Sequence, residues 1–269
     1  MSSDTNITNS DRFIEEYTTE FVGRWDELID WKKRGESEAG FFERILKESG
    51  SETVLDIASG TGYHTVTLNM NGFDCTGSDG SANMITKAKE NAERFGLESA
   101  RFEVAEWTSL SETFTNEKFD AIVCLGNAFT HLFNDYERRQ ALDEIYGLLN
   151  PGGVAIIDHR NYDSILDNGF TSKHQSYYLG DTVDIRPESV SENGVLFRYS
   201  YSDGSVHHLN LCPIRQEYVT SLLEDAGFKQ VDRYGDFQPQ YDHYDPDFIV
   251  QVATTVSYTH LTLPTNREV

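Results

Sequence analysis

The stretch VLDIASGTGYHTVTLNMNGFDCTGSDGSANMITK, residues 54–87, decides how the rest of the chain is read. It passes through the signatures of strand, glycine turn, helix and second strand, and then reaches an acid. Residues 54–57 are apolar apart from Asp56, as a buried strand requires. Gly60 and Gly62 allow a tight turn and the close approach of backbone to a ligand. The helix that follows points its N-terminus at that ligand. Asp79 closes the second strand about twenty residues on, where a carboxylate accepts both hydroxyls of a ribose. This is the front half of a nucleoside-binding α/β domain.

The dinucleotide fingerprint G-x-G-x-x-G requires a third small residue, and position 65 is Thr. A loop of the form D-x-x-x-G-x-G, running from Asp56 to Gly62, suits instead a ligand with an adenosine and no phosphates. It resembles the first motif of the class I S-adenosylmethionine-dependent methyltransferases. The broken fingerprint also makes a nicotinamide dehydrogenase a poor reading.

Working outward, 269 residues hold one α/β core with an elaboration. We expect an N-terminal helical cover (1–50), a cofactor-binding core (51–159), an inserted antiparallel lid (160–215), and the last helix and strands of the core (216–255). The final residues, 256–269, lose the acidic bias of the chain and read as a non-native tail. Residues 11–48 carry apolar positions at helical spacing. Helices are expected over 82–95, 136–149 and 215–226, and strands over 101–105, 119–125, 154–158, 229–234 and 247–254. Between 160 and 215 the helix–strand rhythm gives way to tyrosine-rich alternating runs, with Asp203-Gly204 as a hairpin turn between two of them.

The net charge of −23, from 22 basic and 45 acidic side chains, disfavours nucleic acid, which calls for a basic patch. The acidity runs along the whole chain and reads as surface solvation, as a salty cytoplasm would favour. No apolar run reaches bilayer length and the first residues lack a leader pattern, so a cytoplasmic protein without a membrane partner is expected. Cys75, Cys124 and Cys212 lack metal-ligand spacing and read as thiols of a reducing compartment; no metal is expected. A homo-oligomer is left open.

In open α/β sheets the ligand sits beyond the carboxyl ends of the strands. The unusual residues of this chain gather there: Asp79 after strand two, Glu106-Trp107 after three, Leu125-Gly126-Asn127 after four, and His159-Arg160-Asn161-Tyr162 after five. Trp107 reads either as a stacking partner for adenine, with Glu106 near its edge, or as rim packing. Arg160 reads as a two-pronged clamp for a carboxylate, or as a partner for one of many acids. Asn127 offers an amide oxygen to an amine hydrogen, and His131 either buttresses that loop or serves as a base.

LGNAFTHL (125–132), DHRNYD (158–163), Tyr177-Tyr178 and GDF (235–237) together resemble the glycine N-methyltransferase family. EEYTTEFVGRWDELIDW (15–31), HLFNDYERR (131–139) and LNPGGV resemble more closely the glycine/sarcosine N-methyltransferases that begin betaine synthesis. The resemblance runs from about Tyr17 to Thr254. It implies a Rossmann-like class I methyltransferase sheet of seven strands, with a helical N-terminal cover and an antiparallel β lid. S-adenosylmethionine is the implied methyl donor, and glycine and sarcosine are the implied substrates. Tyr17, Trp25 and Arg34 match the segment that closes over the donor, Arg34 at its carboxylate. Ala58 and Gly60 match its methionine part, Asp79 the ribose, Met84 and Trp107 the adenine, and Leu125 and His131 its inner edge. Asn127, Arg160, Tyr178 and Tyr201 match positions around the amino acid. Glu106 stands where the animal enzymes carry Asn, and Leu28-Ile29 where a tyrosine is expected. Two alternatives remain: a sarcosine/dimethylglycine enzyme, or a donor-binding regulator with little turnover.

Overall fold

The computed structural model describes residues 16–171 and 177–256. The expected tail after Val256 and the first residues of the N-terminal cover lie outside them, as does Ser176. Among the described residues, four short helices come first: α1 (Thr19–Gly23), α2 (Trp25–Leu28), α3 (Trp31–Glu38) and α4 (Phe41–Glu48). The described part of the expected helical region, 16–48, is therefore a series of turns and helices, broken where Ile29 and Asp30 go extended and where Ala39 and Gly40 take left-handed backbone. Side-chain oxygens of Thr18 and Asp30 accept from the amides of Phe21 and Lys33, capping α1 and α3.

The core follows as β1 (Thr53–Asp56), α5 (Tyr63–Met70), β2 (Asp74–Asp79), α6 (Ala82–Arg94), β3 (Phe102–Val104), α7 (Leu110–Thr113), β4 (Phe119–Cys124), α8 (Asp135–Leu148) and β5 (Leu149–Arg160). After α9 (Tyr162–Asn168), the strands β6 (Val183–Ser191), β7 (Gly194–Tyr201) and β8 (Val206–Leu211) form a separate antiparallel sheet. The helix α10 (Gln216–Asp225) and the strands β9 (Gln230–Gly235) and β10 (Phe248–Thr254) return to the core. The main sheet has the order β3-β2-β1-β4-β5-β10-β9, with β10 antiparallel to both neighbours. The helix α9 and the hairpin turn between Ser191 and Gly194 were not among the sequence expectations.

Because side chains alternate along a strand, β1 and β4 feed two cores. Leu55, Ile57, Ile122 and Cys124 pack against α8 and α10, while Val54, Ala121 and Val123 pack against Phe42, Ile45 and Leu46 of α4. Each fully buried Leu, Ile or Phe contributes roughly 1.5–3 kcal/mol. A third core joins cover to lid, with Phe21 and Leu28 against Ile185, Val195, Phe197 and Leu209.

The missing third glycine of the loop has a local explanation. The Thr65 hydroxyl donates to Asp56 Oδ2 at 3.0 Å, so it ties α5 to the end of β1. The close approach that a glycine would give on the helix is supplied from the strand: a Cβ on Gly77 would lie 2.7 Å from Thr65 Oγ1.

Candidate functional site

The strands β1 to β5 end on one side of the sheet, and the cover and lid close over that side to leave a pocket. Ala58, Gly60, Asp79, Met84, Glu106, Trp107, Leu125, Asn127, His131, Arg160 and Tyr178 all line it, with Tyr17, Trp25 and Arg34 from the cover. Fourteen of the fifteen residues singled out from the sequence thus meet in one cavity, although they span the chain from 17 to 178. Tyr201 does not line it. The Arg24 guanidinium sits 3.9 Å over the Tyr201 ring, and the tyrosine two residues earlier on the same face of β7, Tyr199, takes the place at the pocket wall.

Floor residues are held by backbone. Gly60 N–H donates to Asp79 Oδ2 at 3.0 Å and Ser81 N–H to Oδ1 at 2.9 Å, so the carboxylate is fixed across the mouth of the glycine turn. Burial pushes Asp79 up to about 7, with Asp56 and Glu106 adding to it against the two amide hydrogen bonds. The Trp107 indole N–H donates to Ile57 O at 2.6 Å, which sets its ring at the wall. Asn127 takes left-handed backbone, φ 64°, and its main-chain N–H donates to Asp158 Oδ1 at 2.7 Å.

The Asn127 side chain differs from the expectation. Its Oδ1 accepts the Arg160 backbone N–H at 2.9 Å, and its Nδ2 donates to the Tyr162 hydroxyl at 3.1 Å. The amide oxygen is therefore engaged in joining the ends of β4 and β5. Arg160 is buried, with its guanidinium between the rings of Phe197 and Phe248 at 4.9 and 5.3 Å. Such flanking rings fix the plane of the guanidinium.

Roof residues are held by side-chain and main-chain contacts between distant parts of the chain. His131 Nε2 lies 2.9 Å from the Tyr17 hydroxyl, and burial pushes the imidazole down to about 4, which makes it a weak base. Tyr178 O accepts the Asp30 N–H at 2.9 Å, and Ile29 bridges to Leu179, so the lid is stitched to the cover. Arg34 lies between the Tyr63 and Tyr178 rings, 4.9 Å from each, and donates through Nε to Glu38 at 2.8 Å. Its buried Nη2 has no hydrogen-bond partner among the described residues and stands beside Gly126.

These groups fit a ligand with a ribose and an amino-acid carboxylate. The partnerless Arg34 Nη2 matches a carboxylate, and Asp79 matches a pair of hydroxyls. Sequence reasoning passed over Tyr199, Glu38 and His64, and named Tyr162 at the end of strand five without giving it a role. Tyr199 stood in a run of alternating aromatics that offered two equivalent tyrosines, Glu38 gave only its four-residue spacing from Arg34, and His64 gave no local signal. No group of side chains suited to a metal ion occurs among the described residues, and no helix there is long and apolar enough to cross a membrane.

A family model described as a methyltransferase domain matches residues 54–153. The chain is 47% identical over 247 residues to a glycine/sarcosine N-methyltransferase of Aphanothece halophytica, covering 92% of each. It is 45% identical over 249 residues to one from Halorhodospira halochloris, covering 93% of this chain and 92% of that protein. Among solved structures, an S-adenosylmethionine-dependent methyltransferase from Clostridium acetobutylicum superposes with a TM-score of 0.70 at 18% identity, covering 88% of this chain and 98% of that one. This last likeness speaks for the fold.

Proposed function

The chain belongs to the glycine/sarcosine N-methyltransferase family, and from that premise we propose how its pocket carries the reaction. It methylates glycine to sarcosine and sarcosine to N,N-dimethylglycine with S-adenosylmethionine as methyl donor. These are the opening steps of glycine betaine synthesis, an osmolyte route. The observation that carries the reading is the pairing, in one cavity, of a ribose carboxylate at Asp79 with two buried arginines, Arg34 and Arg160.

When bound, the donor supplies a sulfonium-activated methyl group. The protein has then to align an amine lone pair with it and exclude water, and positioning of this kind is worth about 7–11 kcal/mol in well-oriented systems. Asp79 receives the ribose hydroxyls, Trp107 and Met84 flank the base, and Arg34 meets the donor carboxylate. Arg160 clamps the substrate carboxylate, Tyr178 and Tyr199 wall the substrate end, and Asn127 holds the strand ends that carry Arg160. With its side-chain oxygen so engaged, Asn127 acts on the amine through the geometry of its loop. The attacking amine must be neutral. His131, held at about 4, cannot keep a proton at neutral pH, so the ammonium proton leaves to solvent before binding.

A pocket separates substrates differing by one methyl group by only about 1–3 kcal/mol, which is why sarcosine re-enters. We place the enzyme in the cytoplasm, acting on free amino acid without nucleic acid or membrane. Its charge of −23 suits a salty interior. The test is transfer of labelled methyl to glycine, sarcosine or dimethylglycine supplied singly, beside Arg160→Ala. Label in the first two, lost in the variant, is expected. Efficient labelling of dimethylglycine alone would replace this substrate range, and tight donor binding with no transfer would favour a regulator.

A further inference from the structure

Behind the pocket lies a buried polar hub that the reaction as described leaves unused. Glu38 is 5% exposed, and three donors converge on its Oε1: Arg34 Nε at 2.8 Å, His64 Nε2 at 3.0 Å and the Tyr177 hydroxyl at 3.1 Å. They come from three parts of the molecule, since Arg34 belongs to α3, His64 to α5 next to the glycine turn, and Tyr177 to the lid. A buried ion pair is weak evidence for stability, because apolar replacements are often as stable. What such a pair does fix is orientation. Here the orientation is specific, because the Glu38 bond to Nε leaves Arg34 Nη2 as the partnerless, buried end beside Gly126 at the pocket wall.

We propose that Glu38 is a positioning residue for methyl-donor binding: it aims Arg34 Nη2 at the donor's carboxylate and, through Tyr177, makes that aim depend on the seating of the lid. This rests on the reading that Arg34 meets that carboxylate. Burial raises the Glu38 carboxyl, but His64 and Arg34 beside it outweigh this and hold it down at about 2, so the aiming charge is present throughout the working range. Tyr177 is suited to couple the lid to the hub, because its ring packs between Phe237 and Phe248 at 5.2 and 5.1 Å and its hydroxyl alone reaches Glu38.

The experiment is calorimetric binding of S-adenosylhomocysteine, which carries the carboxylate, and of 5′-methylthioadenosine, which lacks it. The wild type, Glu38→Gln and Tyr177→Phe are compared. Loss of one charge-assisted contact predicts that Glu38→Gln weakens the first ligand about tenfold or more and the second less than twofold. Tyr177→Phe keeps its ring packing and should weaken the first about threefold and leave the second unchanged. Equal losses on both ligands, or unchanged affinity of Glu38→Gln for the first, overturn the proposal. A wild type that binds the two ligands equally removes instead the reading of Arg34 as carboxylate partner, before any variant is compared.

Discussion

The floor and the roof of the pocket are built by different means. On the floor, Asp79 and Trp107 are fixed by main-chain groups of neighbouring strand ends, Gly60 and Ser81 for one and Ile57 for the other. On the roof, Phe21 stacks on His207 at 4.6 Å, Arg24 pairs with Asp203 at 2.8 Å, and Tyr17 meets His131, each contact linking remote sequence. A floor tied to the sheet keeps its shape whatever the side chains above it do. A roof docked between remote segments, with few main-chain bonds across the seam, opens when a few of its side-chain contacts are lost. The ribose and base end of the proposed donor site is thus preformed, while its carboxylate end at Arg34 and the compartment that excludes water depend on docking.

This contrast breaks most severely if Arg160→Ala spares turnover. We expect kcat/KM for glycine to fall about 100-fold or more, because a buried cation–carboxylate clamp is lost, with donor affinity within about twofold; steady-state kinetics and calorimetry check both. Phe21→Ala comes next. Removing a fully buried phenylalanine costs about 3–5 kcal/mol, and the loss should fall on the roof, seen as faster limited proteolysis of the N-terminal segment with the core intact. A single global loss of stability would mean that roof and floor are one unit.

The floor has its own signature in pH. Asp79 is at about 7 without ligand, and ribose hydroxyls favour its ionised form, so donor binding releases a proton below that value. Affinity should be flat above about pH 8 and weaken by about tenfold per unit as the pH falls below 7. Asp79→Asn should flatten that slope. For the ligand-free fold the sign is reversed: a carboxyl raised on folding stabilises the folded state most at low pH, and that contribution is lost as pH rises through 7. The smallest effect sharpens the comparison within the lid. Tyr199→Phe should lower kcat/KM for glycine about fivefold, and Tyr201→Phe, outside the cavity, less than about twofold.

The same division governs what the sequence tells. The glycine turn, the acid at Asp79 and the strand-end residues through Arg160 are legible because each sits at a fixed place in a periodic pattern, and the sheet brings strand ends together by its topology. The seven-stranded sheet with a separate antiparallel lid follows from the same periodicity. Tyr199 and Tyr201 are not separable that way, since a strand repeats every two residues and depth in the cavity is set by how the lid docks. The Asn127 oxygen could not be read as engaged, because its partner is a backbone amide 33 residues away. Glu38 shows locally only its four-residue spacing from Arg34, a common surface pairing, and the hub's other members, His64 and Tyr177, lie 26 and 139 positions away from it.

The stacking of Phe21 on His207 also sets a timetable. The two rings are about 190 residues apart, so at a synthesis rate of roughly 5–20 residues per second the first waits about ten to forty seconds for the second. Strands β1 to β5 emerge within that interval and can pair. The nascent chain can therefore hold the five parallel strands that carry the floor, still without β9 and β10, while the apolar faces of α1 and α2, with Phe21 and Leu28, remain without the strands that cover them. During that interval the uncovered apolar face is open to association with other chains.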